Sequence, residues 1–451
     1  MIGLGLALAL AAIADWTPAR WNSADPQSLE LVRQSPVNCL LLEEANWSAA
    51  FNRAAAQAGI ATLAIVRTSP LDASKLKGLA FTGAALEGDF TAEDRKSLAD
   101  AGLTAVPLGL RTSMHFHNAE PIVGTVQGVW PGINQTQEEI KAAPSGAPWI
   151  DTNSGFLRFV RAAAGNAEVW IGHRPPEKAG AIIPAARYVQ AVADAAMVGA
   201  RWVVALDADL EKRLLAREPK AVADWQRIAQ AMRFFEEHAA WRRLPAYGQL
   251  AIVQDIDSGG LISGGILDMI AVKHTPVRAV VGRQLSRERM EGAKMAVNVD
   301  PAQTGESGKE ILREFTRSGG TLLTVPPGWK FPPQRPGQVK LDEKEVEKID
   351  AIWKEVNAMT GRHNLGARLF NVASVLSNLA APAAGKPLVL WLVNYSDYDV
   401  ENVAAHFLGK LTSATLYEPG AAPKKLEVYE VEEGTGVDID KLHALAALVV
   451  E

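Results

Sequence analysis

Four acidic residues stand where catalytic carboxyls commonly stand, just after apolar runs or in turn-rich stretches. They are Asp207, Asp151, Glu43 and Glu44. A protonated carboxyl can donate a proton while an ionised carboxyl acts as base or nucleophile, so hydrolysis by carboxyls needs two of them. Asp207 is the strongest candidate, because it directly follows a predicted strand. Glu87 and Asp89 also follow a predicted strand.

Each of the four acids also has a structural interpretation. Asp207 can cap the helix that follows it, and Asp151 can form an Asx-turn beside a core tryptophan. Glu43 or Glu44 can open a helix, where the positive end of the helix dipole favours an acid. The sequence leaves both interpretations open.

Aromatic and polar residues near the predicted strand ends are candidates for ligand contacts. These substrate-binding candidates are Trp130, Trp149, Asn153, His173 and Arg174. An aromatic ring offers an apolar face for stacking, while amide, imidazole and guanidinium groups form hydrogen bonds. The alternative places the tryptophans in the core and the His–Arg pair in a solvated loop.

No cofactor and no metal site is predicted. His115 and His117 flank Phe116, but no third ligand follows at a recognisable spacing. The glycine-rich run 259–265 lacks both the dinucleotide fingerprint and the phosphate-loop lysine, which favours a structural turn. The single cysteine, Cys39, lies within an apolar run and is predicted to be a core side chain.

The first half of the chain alternates short apolar strands with amphipathic helices. Glycines at 59, 102 and 199 each follow a predicted helix and precede a predicted strand. Such helix–glycine–strand units predict parallel strands joined by crossover helices. Their number and total length predict a (β/α)8 barrel whose strand carboxyl ends gather the catalytic groups. The predicted strands are 37–42, 61–66, 78–81, 105–108, 124–130, 169–172 and 201–206.

The second half predicts two further folding units. Strands and helices alternate again from about residue 250, but too few strands remain for another barrel, so an open doubly wound, flavodoxin-like sheet is expected. From Lys386 the apolar pattern has period two, with turn residues between the runs, which predicts a small antiparallel β-sandwich. The predicted division is a signal peptide at 1–14, the barrel at 15–245, a flavodoxin-like domain at 246–335, a helical linker region at 336–385 and the sandwich at 386–451.

Composition limits the classes of partner. A net charge of −5 gives no basic footprint for nucleic acid, and no apolar run after the N-terminus is long enough to span a bilayer. The apolar start, Met1–Ala14, ends in the small-residue pattern Ala12-Ile13-Ala14 and predicts secretion or periplasmic export, although no basic residue precedes it. The alternative is a buried helix.

Residues 245–451 resemble the non-catalytic part of β-galactosidases that have a glutamine-amidotransferase-like trimerisation domain after the barrel. The resemblance rests on the helix 310–315 followed by Gly319-Gly320-Thr321, and on Leu390–Ser396 with Tyr417–Gly420 in the sandwich. The resemblance implies a glycoside hydrolase-like architecture and a homo-oligomer. It does not imply amidotransferase activity, because the middle domain has no cysteine nucleophile.

The resemblance gives two expectations of function. The first is a secreted glycoside hydrolase that cleaves a glycosidic bond with two of the four candidate carboxyls. The second is a non-catalytic carbohydrate-binding protein on a degenerate barrel. Typical retaining β-galactosidases have an Asn-Glu pair at a strand end around their acid/base residue, and no such pair follows a predicted strand here. Apart from the resemblance, the predicted barrel also leaves open a hydrolase or lyase that acts on a substrate other than a sugar. In the first two cases the partner is a carbohydrate, and sequence alone does not choose between them.

Overall fold

The computed structural model describes residues 13–114, 116, 121–130, 133–135, 140–142, 153–173, 182–271, 274–326, 331, 334–372, 374–383 and 385–451. The chain divides into two compact units. The first unit comprises Met1–Gly128, Ala164–Val192 and Ala200–Glu237. The second comprises Val129–Ala163, Ala193–Gly199 and His238–Glu451.

The first unit is built on a sheet of eight parallel strands. A parallel bridge between Ala19 and Val204 joins the first strand to the chain just after the last, so the sheet closes into a barrel. In chain order the barrel strands are Pro18–Arg20, Cys39–Leu42, Ala61–Val66, Gly83–Leu86, Thr104–Gly109, Ile122–Thr125, Glu168–Gly172 and Ala200–Val203. This confirms the predicted (β/α)8-like barrel.

Apolar side chains that alternate along the strands fill the barrel. Residues such as Cys39 and Leu41 on the second strand, and Leu63 and Ile65 on the third, belong to one buried cluster. Because side chains alternate between the two faces of a strand, every second residue points inward. Cys39 is therefore a core side chain, and burial raises the pKa of its thiol.

Helices join the barrel strands. Ala92–Asp100 begins at a capping box, in which the Thr91 side chain accepts from the Asp94 N–H while Asp94 accepts from the Thr91 N–H. The other α-helices that lie wholly or partly in this unit are Leu29–Arg33, Ala49–Gln57, Ala73–Gly78, Ser154–Ala164, Ala185–Ala196, Ala208–Leu215 and Pro219–Glu237. The short 3-10 helices are Pro26–Ser28, Glu44–Asn46 and Arg111–Ser113.

The strand predictions in this half differ from the structure at several places, including 124–130, where the strand is Ile122–Thr125. The first barrel strand, Pro18–Arg20, was not predicted, because three residues that begin with proline give no apolar alternation. The predicted strand 78–81 overlaps the end of a helix, Ala73–Gly78, which begins because the Asp72 side chain accepts from the Lys75 N–H. The strand itself is Gly83–Leu86.

The second unit contains a four-stranded parallel sheet. Its strands are Leu250–Gln254, Val277–Val281, Met295–Asn298 and Thr321–Thr324, and the first of them lies between the second and the third. Its helices are Ile266–Ala271, Arg287–Met290 and Gly305–Arg317, with short 3-10 helices at Ile256–Ser258 and Gly282–Gln284. A cluster that includes Ala251, Val253 and Leu312 packs one face of the sheet.

Two antiparallel sheets follow and share one apolar core. The core includes Leu390 and Leu392 of one sheet and Val403 and Phe407 of the other. One sheet contains Ala367–Phe370, Val400–Leu408, Gly434–Leu442 and Val428–Val431, in that spatial order. The other contains Val375–Ala380, Leu388–Asn394, Leu445–Val450, Ala414–Tyr417 and Lys424–Leu426. These sheets are the predicted antiparallel β-structure at the C-terminus.

Some elements of this half fall outside the predicted pattern. Two of the antiparallel strands, Ala367–Phe370 and Val375–Ala380, lie in the range predicted as a helical linker region, in which the helix Glu343–Thr360 is also present, as expected. A short helix, Ala239–Arg242, follows the barrel, and Ile133–Gln135 pairs with Ile140–Ala142 in a two-stranded antiparallel sheet.

None of the helices in the described part of the chain combines the length and apolar composition that a bilayer span requires.

Candidate functional site

Four charged side chains form a layer at the carboxyl end of the barrel. Arg20, Glu43, Arg67 and Glu87 come from the ends of the first four strands. Each continues the inward-facing alternation of its strand, so the apolar core ends where this layer begins. Catalytic and binding groups of (β/α)8 barrels lie at this end.

Ion pairs join all four residues, which we call the rim network. The Arg67 guanidinium donates to both carboxylate oxygens of Glu43, at 2.6 and 2.7 Å, and to Glu87 Oε2 at 3.1 Å. Arg20 donates to Glu43 Oε1 at 3.2 Å and to Glu87 Oε1. Two positive and two negative charges therefore balance, and each carboxylate contacts two guanidinium groups.

The rim network runs from the barrel interior towards solvent. The Glu87 side chain is fully buried and that of Arg20 is 8% exposed, whereas those of Glu43 and Arg67 are 32% and 37% exposed. The hydrogen bond with Glu43 raises the pKa of Arg67. Glu43 and Arg67 are thus the members that a ligand at the barrel opening can contact. Arg20 and Glu87 lie deeper in the barrel and fix Glu43 and Arg67 through ion pairs.

His173 follows the seventh strand and interacts electrostatically with Arg20. Its Nδ1 lies 2.7 Å from the carbonyl oxygen of Gly128, the geometry of a donated N–H. Burial lowers the pKa of this imidazole, and the Arg20 charge lowers it further, against the opposing effect of the Gly128 hydrogen bond. His173 is therefore favoured as a neutral side chain near pH 7.

A second buried carboxyl lies beside the loop after the first strand. Glu211, on the helix Ala208–Leu215, accepts from the Asn22 N–H at 3.0 Å and from the Asn22 amide at 2.7 Å. Burial raises the pKa of Glu211, and the two hydrogen bonds from Asn22 lower it only in part. Asn22 thus pairs with a glutamate in space, although the two residues are far apart in sequence.

Asp207 has the contacts of a helix cap. Its Oδ1 accepts from the Leu210 N–H at 3.0 Å, which begins the helix Ala208–Leu215. Its Oδ2 accepts from the Tyr188 hydroxyl at 3.0 Å and from the Ile183 N–H at 3.3 Å. With the side chain buried, these bonds match the structural interpretation that the sequence left open.

Glu44 lies at the surface. It begins the short helix Glu44–Asn46 with a side chain that is 74% exposed, and it pairs with Lys75 at 3.1 Å. The neighbouring residues Glu43 and Glu44 therefore have different surroundings, because adjacent side chains at a strand end point in opposite directions.

Two of the predicted binding residues lie in the second unit. The Asn153 side-chain amide forms two hydrogen bonds with the backbone of Val129. Its Oδ1 accepts from the Val129 N–H and its Nδ2 donates to the Val129 carbonyl oxygen, each at 2.7 Å. Asn153 also donates to the buried Asp194 at 2.8 Å. Trp130 comes next in the chain and is buried. Asn153 therefore positions the backbone beside Trp130.

Three candidates lie outside the described residues, namely Asp151, Trp149 and Arg174, and so do His115 and His117. Among the residues that the structure describes, no group of three or more His, Cys, Asp or Glu side chains is arranged to hold a metal ion.

Sequence reasoning left Arg20 and Arg67 out and did not select Glu87. A signal for two of them is present: Arg67 stands two residues after Ile65 and Glu87 two residues after Ala85, just as Glu43 stands two residues after Leu41. A charge at the next inward position of an apolar alternation, at the carboxyl end of a strand, marks a side chain that points into the barrel opening.

Comparison with solved structures supports the fold. The α-L-fucosidase isoenzyme 2 from Paenibacillus thiaminolyticus superposes with a TM-score of 0.63 at 10% identity, covering 97% of this chain and 99% of the fucosidase. The two chains therefore share a fold along nearly their whole length, and at this identity the likeness extends to the fold alone.

Other glycoside hydrolases match more weakly. A rhamnosidase from Novosphingobium sp. PP1Y gives a TM-score of 0.39 at 12% identity, covering 84% of this chain and 38% of the rhamnosidase. A maltogenic α-amylase from Thermotoga neapolitana gives 0.34 at 9% identity, covering 97% and 99%. No protein-family model matches the sequence, and no curated protein matches it.

Proposed function

We propose that this protein is a glycoside hydrolase whose site is the rim network at the carboxyl end of the barrel. The observation on which the proposal rests is the position of Glu43. It is a partly exposed carboxylate that points into the barrel opening and is fixed by Arg20 and Arg67. The glycoside hydrolase-like fold supports a sugar as the substrate class.

In this proposal Glu43 acts as the ionised carboxylate. A nucleophile or general base of a glycosidase must be charged and held in one orientation, and bonds from two guanidinium groups meet both needs. Arg20 and Glu87 are positioning residues, since they are buried beneath Glu43. Glu44 takes no part, because it is paired with Lys75 at the surface.

The proton donor is the second carboxyl that hydrolysis requires. Asp151 stays our candidate, with Trp149 and Arg174 as candidate sugar contacts. Glu211 is a further candidate, since a carboxyl with a raised pKa suits a general acid. We assign Asp207 to the helix cap and not to the reaction.

A second candidate function is carbohydrate binding without cleavage. The observation that favours it is the pairing of the carboxylate oxygens of Glu43 and Glu87 with arginine. A fully paired carboxylate suits hydrogen bonding to sugar hydroxyls through its remaining lone pairs, and it is a weaker attacking group.

A screen with chromogenic aryl glycosides tests the hydrolase proposal. The panel should start with an aryl α-L-fucoside, because one solved structure with a similar fold is an α-L-fucosidase, and extend to other sugars in both anomeric forms. Glu43→Gln should lower kcat by at least about 1000-fold, since removal of one essential catalytic group costs several kcal/mol. Glu44→Gln is the matched control and should retain the wild-type rate.

The two candidate functions separate in this experiment. Hydrolysis that Glu43→Gln abolishes and Glu44→Gln preserves supports the hydrolase. Hydrolysis that survives Glu43→Gln contradicts our site. Binding of a sugar without release of the chromophore, lost in Glu43→Gln, supports the second function.

We also propose the finer architecture that the resemblance implies. A flavodoxin-like second domain is supported by the strand order of its parallel sheet, in which the first strand lies between the second and the third. The same proposal includes a glutamine-amidotransferase-like origin of this domain and a β-galactosidase-like ancestry of the chain. It also includes secretion or periplasmic export, and assembly into a homo-oligomer. Sedimentation of the purified protein and cell fractionation test the last two.

A further inference from the structure

We propose that one outer face of the antiparallel β-structure binds a neutral polysaccharide chain. This face, which we call the aromatic face, consists of Phe370, His406 and Tyr429, flanked by Arg368 and Asp438. The inference rests on the proposed function in one respect, the choice of carbohydrate as ligand. The site itself is formed by strands of the second unit and includes no residue of the rim network.

The strand register places Arg368, His406, Gly436 and Tyr429 in one row, and Phe370 and Asp438 in the neighbouring row, each opposite Ala404. Arg368 lies opposite His406 on the next strand, His406 lies opposite Gly436, and Gly436 lies opposite Tyr429. The row therefore crosses all four strands Ala367–Phe370, Val400–Leu408, Gly434–Leu442 and Val428–Val431. A row of this kind is an extended, shallow surface, which suits a chain-like ligand.

The ring of Tyr429 lies flat on the sheet. A Cβ atom added at Gly436 would lie 2.3 Å from Cε2 and 2.4 Å from Cζ of this ring, so glycine is the residue that admits it. One face of the ring thus covers backbone, while the side chain remains 38% exposed. Phe370 is 38% exposed as well, and its ring centroid lies 4.5 Å from that of His406. Open ring faces stack on the apolar faces of sugar rings.

Polar groups stand at the edges of these rings. The Tyr429 hydroxyl donates to Asp438 Oδ1 at 2.8 Å, and the Arg368 guanidinium lies 5.5 Å from the Phe370 ring centroid. Burial and the Asp438 carboxylate raise the pKa of Tyr429 to about 12, so its hydroxyl stays protonated. Burial lowers the pKa of His406.

The charges and polar groups of the face favour one kind of ligand. One positive and one negative flanking charge cancel, which favours an uncharged ligand over an acidic or basic partner. Hydroxyl, imidazole, guanidinium and carboxylate groups around open rings match the alternation of apolar faces and hydroxyls on a sugar chain. A neutral polysaccharide is therefore the occupant that we propose.

Affinity gel electrophoresis of the full-length protein tests the proposal. The gels contain soluble xylan, mixed-linkage β-glucan, galactomannan or, as an acidic comparison, a sulfated fucan. We expect retardation by at least one neutral polysaccharide. Tyr429→Ala and Phe370→Ala should each weaken the association constant at least tenfold. The matched control is Tyr398→Ala, since Tyr398 is 69% exposed and is not part of the aromatic face.

Several outcomes would overturn the inference. The first is that no neutral polysaccharide retards the protein. The second is that both ring variants are retarded as much as the wild type. The third is that Tyr398→Ala loses as much binding as the ring variants do. Tyr429→Ala uncovers Gly436 and can lower stability, so Phe370→Ala and the melting temperatures of all variants separate lost binding from lost folding. Self-association that the ring variants abolish would instead identify the face as a protein contact.

The test is independent of the barrel. Tyr429→Ala should hydrolyse small aryl glycosides at the wild-type rate, because such substrates are too short to need a second contact. Retardation in the gel without any hydrolysis would contradict the proposed hydrolase and leave this inference standing. Hydrolysis without retardation would contradict this inference and leave the proposed hydrolase standing.

Discussion

Removal of the most deeply buried charge of the rim network should destabilise the barrel strongly. In Glu87→Gln, the fully buried carboxylate becomes a neutral amide of the same shape, and Arg20, 8% exposed, loses one of its two ion-pair partners. Breaking one side of a buried ion pair costs about 3–5 kcal/mol. We expect the lower value, about 3 kcal/mol, because Arg67 is partly exposed and keeps Glu43 as a partner.

The expected shift is large enough for calorimetry. For a unit of 150–250 residues, each kcal/mol lowers the melting temperature by about 2–4 °C, so Glu87→Gln should melt roughly 6–12 °C below the wild type. The matched control is Asp100→Asn, which breaks the exposed pair of Lys96 and Asp100 and should cost at most about 1 kcal/mol.

A second comparison identifies the source of the loss. The double variant Arg20→Met with Glu87→Leu removes both charges and should recover part of the lost stability, since apolar replacement of a buried pair is often neutral. If Glu87→Gln melts no lower than Asp100→Asn, Glu87 is not a buried ion-pair partner, and our account of how Glu43 is positioned is wrong.

The remaining predictions concern single side chains. Asp207→Ala should cost about 0.5–2 kcal/mol in chemical unfolding through loss of the helix cap, while Asp207→Asn keeps most of the stability and the full hydrolysis rate; a large fall in kcat for Asp207→Asn would refute the cap assignment. Hydrogen bonds from Ser69, Thr91 and Leu71 lower the pKa of Asp94 to about 2, so its contribution to stability is complete above its ordinary pKa near 3.8 and is lost as the pH falls to about 2. The melting temperatures of wild type and Asp94→Asn should therefore differ at pH 5 and converge near pH 2, and a constant difference would contradict the lowered pKa. The pKa of His173 lies below its ordinary value, so the unfolded chain binds this proton more readily and stability falls as the pH drops below about 6.5. His173→Gln should flatten that part of the stability profile, and an NMR titration at or above the ordinary pKa would contradict it.

The barrel was predictable because its signals are local. Runs such as Cys39–Leu42 and Ala61–Val66 have the length and composition of buried strands, and glycines end the helices between them. The strand Pro18–Arg20 has no such signal, since its position depends on pairing with the second strand and with the chain after the eighth.

The rim network depends on information that no single segment contains. Its four residues meet only because the strands align in a fixed register, in which Arg20 pairs with Leu41 and Leu41 with Leu63. Glu43 was a candidate as an acid after a strand, but its arginine partners lie on other strands. Asp207 had the same sequence signal as Glu43, and the difference arises from Tyr188 and the following helix, which engage its carboxylate.

A crystal structure of the Glu43→Gln variant with the best sugar ligand tests the central claim most directly. Our account predicts a sugar ring in the barrel opening, with residue 43 and the Arg67 guanidinium within hydrogen-bond distance of it. A sugar bound elsewhere, with the rim network untouched and the barrel opening empty of ligand, would contradict the assignment of this network as the functional site.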